Sequence, residues 1–457
     1  MGDSLKHKKI ALVEASSRST HVYSMTYLPR VGIPTMGAIL KGLGHKCDLW
    51  FQAMSMTADR LRGYDIVGIG SLSSTISEAY RLADFIRDAG GVVVMGGPHA
   101  TFLPEEALAH CNYVVIGEGD VTFPALVQAI AEDAPPDNIP GLGYRAPDGS
   151  VRYTGPAKTV DYENLPSPDF TLSPQVRPER IPPIVATSRG CPHNCTFCSV
   201  TAIFGRRYRF KRNDQVIAEL RPIQNRSVCF GDDNFCANPA RTKSLLQDLI
   251  AHKAVPRRWS GQMCVGAEED DDLLDLMQKT RCRIMYIGVE SIKPETLKQF
   301  RKAHKDADAA GRCIERLHGH DIGVHGMFVV GLDDDEGTVR EIVDYAIGCD
   351  LDTIQIFPLI PFPGTAAYEK HKGEFLHRDW DYFDGMHVVV KPHKCSAYDL
   401  QMAILREMRR FYSLNRILRA YRSKRGWRVK YRAGGHFLLR RWIDENAGYI
   451  ERLRTGF

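Results

Sequence analysis

Short apolar runs and amphipathic stretches alternate along the first third of the chain. Residues 9–14, 46–50, Ile66–Gly70, 91–97 and 113–117 have the length and β-branched content of buried strands. Residues 35–43, 77–89 and 123–130 repeat apolar positions at helical steps, and Gly44 ends the first of these helices. Strands alternating with helices predict an α/β fold with a doubly wound parallel sheet. Ligands of such sheets bind beyond the carboxyl ends of the strands, where this chain carries small or polar loops at residues 71–75, 96–99 and 117–120. No G-x-G-x-x-G follows the first strand, so a nicotinamide cofactor is not indicated.

Residues 134–183 break this rhythm and hold 11 of the 25 prolines. Within them, residues 139–144 and 151–153 flank Pro147-Asp148-Gly149-Ser150 and read as a small hairpin. The rest reads as extended linker, which divides the chain into residues 1–133, 134–183, 184–385 and 386–457. A second αβ series begins at Ile184, with strands expected at 184–187, 227–230, 259–265, 284–289, 324–330 and Thr353–Pro358. Helical stretches such as 214–221, 243–252, 272–279 and 307–318 separate them. A small helical domain closes the chain, opening on the capping-box-like Ser396-Ala397-Tyr398-Asp399. Leu400, Ile404, Met408, Phe411, Leu414 or Asn415, Leu418 and Tyr421 then recur at helical steps. Arg409, Arg410, Arg416, Arg419 and Arg422 fall on the polar flank, and residues 435–453 repeat the theme more weakly.

The decisive chemistry follows the first strand of the second series. Arg189-Gly190-Cys191-Pro192-His193-Asn194-Cys195-Thr196-Phe197-Cys198 places three cysteines at C-x3-C-x2-C spacing. Such a loop can wrap three thiolates round one inorganic centre. Structural zinc wants four ligands, no fourth Cys or His sits at finger-like spacing, and His193 inside the triplet is poorly placed. Iron–sulfur clusters are held by thiolates, and a cube held by three leaves one iron open, as catalytic metal sites do.

This spacing, with the aromatic Phe197 just before the third cysteine, resembles the radical S-adenosylmethionine (SAM) superfamily. The resemblance implies a [4Fe–4S] cluster on Cys191, Cys195 and Cys198, with SAM on the open iron and a reductase or flavodoxin-type electron donor. It also implies a partial (β/α)6 TIM-type barrel, which the six strand–helix units match; barrel chemistry gathers at the carboxyl ends of strands. By the same resemblance SAM is held by Phe197, by Asp232, Asp233 and Asn234 after the second strand, by Gln262 in the third, and by Glu290 and Ser291 closing the fourth. The basic stretch 203–212 is either a solvated turn or a cap over the cluster.

Taken with the triplet, the loops of the first sheet resemble the Rossmann-like N-terminal domain of B12-dependent radical SAM enzymes. The D-x-H-x-x-G signature is missing, as is usual in that class, where no histidine binds the lower face of the cobalt. The resemblance puts Ser71, Leu72, Ser73 and Thr75 near the corrin of cobalamin. Gly97, Pro98, His99, Gly117 and Glu118 line the same pocket, with His99 anchoring a loop rather than binding cobalt. The implied activity is methylation of an unactivated carbon: one SAM methylates cob(I)alamin, a second yields the 5′-deoxyadenosyl radical, and the substrate radical takes the methyl group. A non-methylating relative (an anaerobic oxidative cyclase or ring-rearranging enzyme) and a cofactor-binding sensor without turnover are the alternatives.

Bulk properties add limits. A length of 457 residues predicts two or three domains. No apolar run reaches membrane-spanning length, the N-terminus lacks a signal-peptide core, and Lys6 stands where a myristoylation signal wants Ser or Thr. A cytoplasmic protein with a small-molecule substrate is expected, with no nucleic-acid partner. The remaining nine of 12 cysteines are scattered singly, as reduced buried cysteines are. Residues 396–457 carry 15 Lys/Arg against 5 Asp/Glu, or +10, within a net charge of +5. Basic, aromatic helices there suit an acidic membrane or partner, or packing on the acidic remainder; they lean towards a sizeable apolar or anionic substrate.

Overall fold

The computed structural model describes residues 8–17, 27–54, 56–304, 306–421 and 426–457. The targeting readings on residues 1–7 and the placement of Arg422 lie outside the described residues.

The first apolar runs form β1 (Ile10–Glu14), β2 (Cys47–Phe51), β3 (Ile66–Gly70), β4 (Val92–Gly96) and β5 (Tyr113–Val115), all parallel, in the order β2-β1-β3-β4-β5. Alternate side chains serve opposite faces, as a strand's two-residue period requires. Val13, Val67, Ile69 and Met95 pack against α2 (Ile76–Asp88), while Leu12, Leu49, Val94 and Val115 pack with residues of α1 (Gly32–Gly42) and α3 (Gly119–Ala131). Both faces are covered, hence the continuous apolar runs. α3 starts four residues earlier than its pattern predicts, because Gly119 and Asp120, which read as loop, form its first turn.

The hairpin β6 (Leu142–Arg145) and β7 (Val151–Tyr153) pairs antiparallel with β5, so it extends the first sheet to seven strands instead of belonging to a connector. Nor does the remaining proline-rich segment hang free. Tyr162 and Leu165 are buried, Ile181 enters the first sheet's core, and Phe170 stacks 6.3 Å from Phe51.

The second series builds a six-stranded parallel sheet in sequential order: β8 (Ile184–Val185), β11 (Ser227–Phe230), β12 (Arg258–Met263), β13 (Cys282–Glu290), β14 (Gly323–Val330) and β15 (Thr353–Pro358). A side ribbon of β9 (Ser188–Arg189) and β10 (Arg209–Phe210) follows β8. Intervening helices are α4 (Ser199–Phe204), α5 (Asn213–Leu220), α6 (Pro239–Ala251), α7 (Asp271–Lys279), α8 (Pro294–Phe300), α9 (Ala307–Gly319) and α10 (Glu336–Gly348). Asp270, Asp306 and Asp335 each accept a backbone N–H at the start of α7, α9 and α10. Trp259, Met263, Ile287, Val289, Phe328 and Ile356 face these helices in one core. Their alternates Ser260, Gln262, Tyr286, Glu290 and Gln355 turn to the lumen.

The C-terminal helices are α11 (Ala397–Phe411), α12 (Leu414–Tyr421), α13 (Trp427–Glu445) and α14 (Ala447–Thr455). Ser396 caps α11, its Oγ accepting the Asp399 N–H at 3.0 Å. One long helix does not form. It breaks at Tyr412, whose hydroxyl receives the Ile354 N–H (2.9 Å) and donates to the Ile354 carbonyl (2.6 Å), tying the segment to β15.

Candidate active site

The cysteine loop sits between the ends of β9 and α4. Gly190 has φ +91°, and a Cβ there would lie 2.4 Å from the Arg207 carbonyl oxygen, so only glycine admits the turn. The loop is fastened by its neighbours: Thr196 donates to the Phe300 carbonyl (3.1 Å), Ala367 donates to Thr196 (2.9 Å), and Thr201 Oγ1 donates to His193 (2.8 Å). Phe197 packs edge-on against Phe300 at 5.0 Å. The three thiols feel one another electrostatically. Burial pushes the Cys198 thiol up to about 12 and raises Cys195. Cys191 falls to about 7, chiefly because it accepts a hydrogen bond from the Cys264 thiol. Among the described residues no three His, Cys, Asp or Glu side chains converge on a single metal ion. A cube ligated at three separate irons does not require such convergence.

The carboxyl ends of the barrel strands surround this loop with polar groups. Asp233, half-buried, is pushed up to about 6 by burial and by Asp232. Asn234 is 2% exposed, and its Oδ1 has no hydrogen-bond partner. Gln262 projects into the lumen, exposed. Glu290 adopts φ +63° at an irregularity in β13, an unusual conformation for a side chain of this size, and pairs with Lys302 at 3.0 Å. Arg301 takes the left-handed position that ends α8 (φ +54°), which turns Lys302 inward. Burial opposes the Lys302 charge, but Glu290, Cys264 and Cys195 outweigh it and hold the ammonium well above the ordinary lysine range.

At the rim of the first sheet, residues 71–75 form a tight turn in which Ser71, Ser73 and Thr75 are buried and Leu72 projects. Gly97 (φ +98°) passes so close that a Cβ would lie 2.3 Å from Ser71 O. Pro98 opens a short helix, and Gly117 (φ +80°) donates its N–H to Thr101 Oγ1 at 3.0 Å. The two sheets meet at these ends. Val329, Leu332, Leu359, Trp380 and Phe383 share one apolar cluster with residues of the first sheet. Arg189, two residues before Cys191, reaches Glu118 (2.9 Å) and Asp120 (2.6 Å), and Arg209 also pairs with Glu118 (2.6 Å).

Residues 185–346 match the Radical SAM superfamily model and residues 24–127 match the B12 binding domain model. An uncharacterized methyltransferase of Pyrococcus horikoshii is 31% identical over 324 residues, covering 67% of this chain and 69% of that protein. The chain belongs to the B12-dependent radical SAM enzymes. Bacteriochlorophyllide d C-12(1)-methyltransferase of Chlorobaculum tepidum is 29% identical over 371 residues, 79% of this chain and 78% of that one. The cobalamin-dependent SAM radical enzyme OxsB shares the fold with a TM-score of 0.72 at 15% identity, over 99% of this chain and 75% of that chain. As a B12-dependent radical SAM enzyme, this protein uses a [4Fe–4S] cluster, SAM and cobalamin.

The residues present fit such a cofactor set: three neighbouring thiols on a glycine-dependent turn, a buried amide oxygen without a partner, and a first-sheet rim where the Gly97 loop closes directly on the Ser71 backbone. Of the sequence-expected residues, Cys191, Cys195, Cys198, Phe197, Asp233, Asn234, Gln262 and Glu290 gather round the barrel mouth. Others are committed to protein contacts. Asp232 is buried and accepts from the Thr187 N–H (3.2 Å), Thr187 Oγ1 (2.9 Å) and Ser188 Oγ, so it braces the strand before the cysteine loop. Ser291 is wholly buried and accepts the Lys293 N–H. His99 contacts Ser73 Oγ (3.1 Å) and Glu106 (3.2 Å) through its two nitrogens and anchors the 71–75 turn. Glu118 has both carboxylate oxygens engaged by Arg189 and Arg209. In the basic stretch, Arg209, Lys211 and Arg212 pair with Glu118, Glu219 and Asp214, while Arg206 donates from Nε to the Pro192 carbonyl of the cysteine loop at 3.1 Å. Sequence reasoning missed Cys264, read as one scattered cysteine, and Lys302, which no periodic or spacing signal marks.

Proposed function

We propose that this enzyme transfers a methyl group to an unactivated carbon of a sizeable apolar or anionic small molecule. The observation that carries the reading is the Arg189 bridge. It ties the strand leading to the cysteine loop to Glu118 and Asp120 on the rim of the first sheet, so a cluster and a corrin would face a common space. When bound, the cofactors supply reductive cleavage of SAM and a transferable methyl group. In this reading Cys191, Cys195 and Cys198 hold the cluster, and the Asp233 carboxylate receives the ammonium of SAM. Gln262, Asn234 and the Lys302–Glu290 pair orient its remaining polar groups. Ser71, Ser73, Thr75, Gly97, Pro98 and Gly117 form the corrin cradle, with Leu72 as the apolar side chain that projects from it. No general base is required; the chain positions reactants and excludes water.

The relative in Chlorobaculum tepidum is named for methylating a bacteriochlorophyllide, which supports a large, partly apolar substrate. An acidic flavodoxin-type donor suits the cleft of about 330 Å³ behind the cysteine loop, where Arg301, Lys370 and His371 lie beside Thr196. Among the described residues no helix is long and apolar enough to cross a membrane, and all twelve cysteines are free; we place the enzyme in the cytoplasm. Anaerobic reconstitution with cobalamin, a reductant and an excess of SAM is expected to yield methylated product, S-adenosylhomocysteine and 5′-deoxyadenosine together. 5′-Deoxyadenosine without methylated product would move the assignment to a cyclase or ring-rearranging enzyme, and no 5′-deoxyadenosine at all to a sensor.

A further inference from the structure

The cations of the C-terminal segment divide into two sets. Arg428 and Arg432 are buried and turned inward. Arg428 pairs with Asp350 (2.7 Å) and with Asp352, and Arg432 donates to the carbonyls of Leu351 (2.9 Å) and Asp352 (3.0 Å). These ties dock α13 on the acidic turn before β15, which is the packing expected of basic helices on an acidic barrel. The outward face is built differently. Only Ala420 of α12 is buried. Its apolar stripe of Leu414, Leu418 and Tyr421, at helical steps of four and three, is 62%, 66% and 78% exposed, and Phe437 of α13 is 67% exposed. Apolar residues grouped in water and rimmed by charge mark docking surfaces. The exposed cations beside this stripe are Arg419 of α12 and Lys430 of α13, whereas Arg416 is turned back over the ring of Phe411 at 4.9 Å.

The start of α13 joins this face to a second basic surface. Trp427 covers Gly323 at the amino end of β14, where a Cβ would lie 2.3 Å from the indole, and the Arg283 guanidinium sits 5.2 Å from its ring. Arg283 also lines a cleft of about 580 Å³ with Arg257, Arg258, Arg281 and His320, and among the described residues Asp321 is the one carboxylate in its wall. The Arg283 Nε is buried without a hydrogen-bond partner. This mouth is at the opposite end of the barrel from Cys191, since the strands are parallel and the cysteine loop follows the carboxyl end of β8.

We propose that α12, the exposed side of α13 and the arginine cleft together form a docking surface for an anionic lipid bilayer. Leu414, Leu418, Tyr421 and Phe437 enter the boundary between headgroups and acyl chains, while the arginines neutralise lipid phosphates; stable peripheral attachment needs both contributions. A second copy of the chain meeting the same patch would oppose arginine to arginine. The active-site mouth stays open in this orientation.

Flotation of the full-length, cluster-loaded protein tests this, using phosphatidylcholine vesicles with and without phosphatidylglycerol. The protein is expected to float with the anionic vesicles alone and to be released by salt. Leu414→Ser/Leu418→Ser and, separately, Arg257→Glu/Arg258→Glu are each expected to lower the bound fraction about tenfold. Both variants should keep their iron content and thermal transition. Three outcomes would overturn the proposal: no flotation of the parent protein, binding indifferent to lipid charge or to both variants, or a concentration-dependent dimer in sedimentation velocity that Leu414→Ser/Leu418→Ser abolishes.

Discussion

Asp232 and Asp233 are adjacent carboxylates with opposite fates. The first is saturated by Thr187 and Ser188; the second keeps a raised pKa of about 6, caused by burial and then by its neighbour. A cationic group arriving beside Asp233 would relieve that strain, which is a physical reason to assign it the SAM ammonium. The sign follows from linkage. The folded pKa lies above the ordinary 3.8, so this carboxyl favours the fold below that value and weakens it as pH rises through about 6. Asp233→Asn is therefore expected to raise the melting temperature of the cofactor-free protein above pH 6 by roughly 5 °C. It should also weaken SAM binding about tenfold. Calorimetry across pH and equilibrium dialysis with SAM check the two halves, and a variant that binds SAM normally removes Asp233 from the site. Nothing in the D-D-N run distinguishes the two acids, since their difference is which one meets Thr187, 45 positions away.

Among elements, the ribbon β9–β10 joins the two sheets. Arg189 lies between Glu118 and Asp120 with its side chain 12% exposed, against 7% and 6% for the acids. Removing the cation would leave two buried carboxylates, of which Arg209 serves only Glu118. Arg189→Met is expected to destabilise the protein by about 3 kcal/mol in urea unfolding. Arg189→Lys should fail to restore it, because one ammonium does not span two carboxylates as a guanidinium does. Full stability in the methionine variant would show that the ribbon does not couple the sheets. The strands and most helices of both series are legible from periodicity alone; the ribbon is not. Two-residue strands carry no period, and the basic run holding Arg209 reads equally well as a solvated turn.

For the whole molecule, the cysteine loop rests on protein contacts of its own, from Thr196 to Phe300 and from Ala367 to Thr196. Stripping the iron with a chelator is therefore expected to leave far-UV circular dichroism unchanged and a cooperative unfolding transition in place, unlike small zinc domains that unfold without metal. Loss of secondary structure on chelation would show that the cluster holds the fold. By itself the sequence determined the two αβ series, the triplet on its loop and the family, because apolar period, turn glycines and ligand spacing are local properties. Which carboxylate faces the lumen, that Cys264 and Lys302 border the triplet, that Glu118 grips two arginines, and that the stripe of α12 is turned to water were decided only by tertiary structure. Each depends on groups far apart in sequence meeting in space, and no local pattern encodes that meeting.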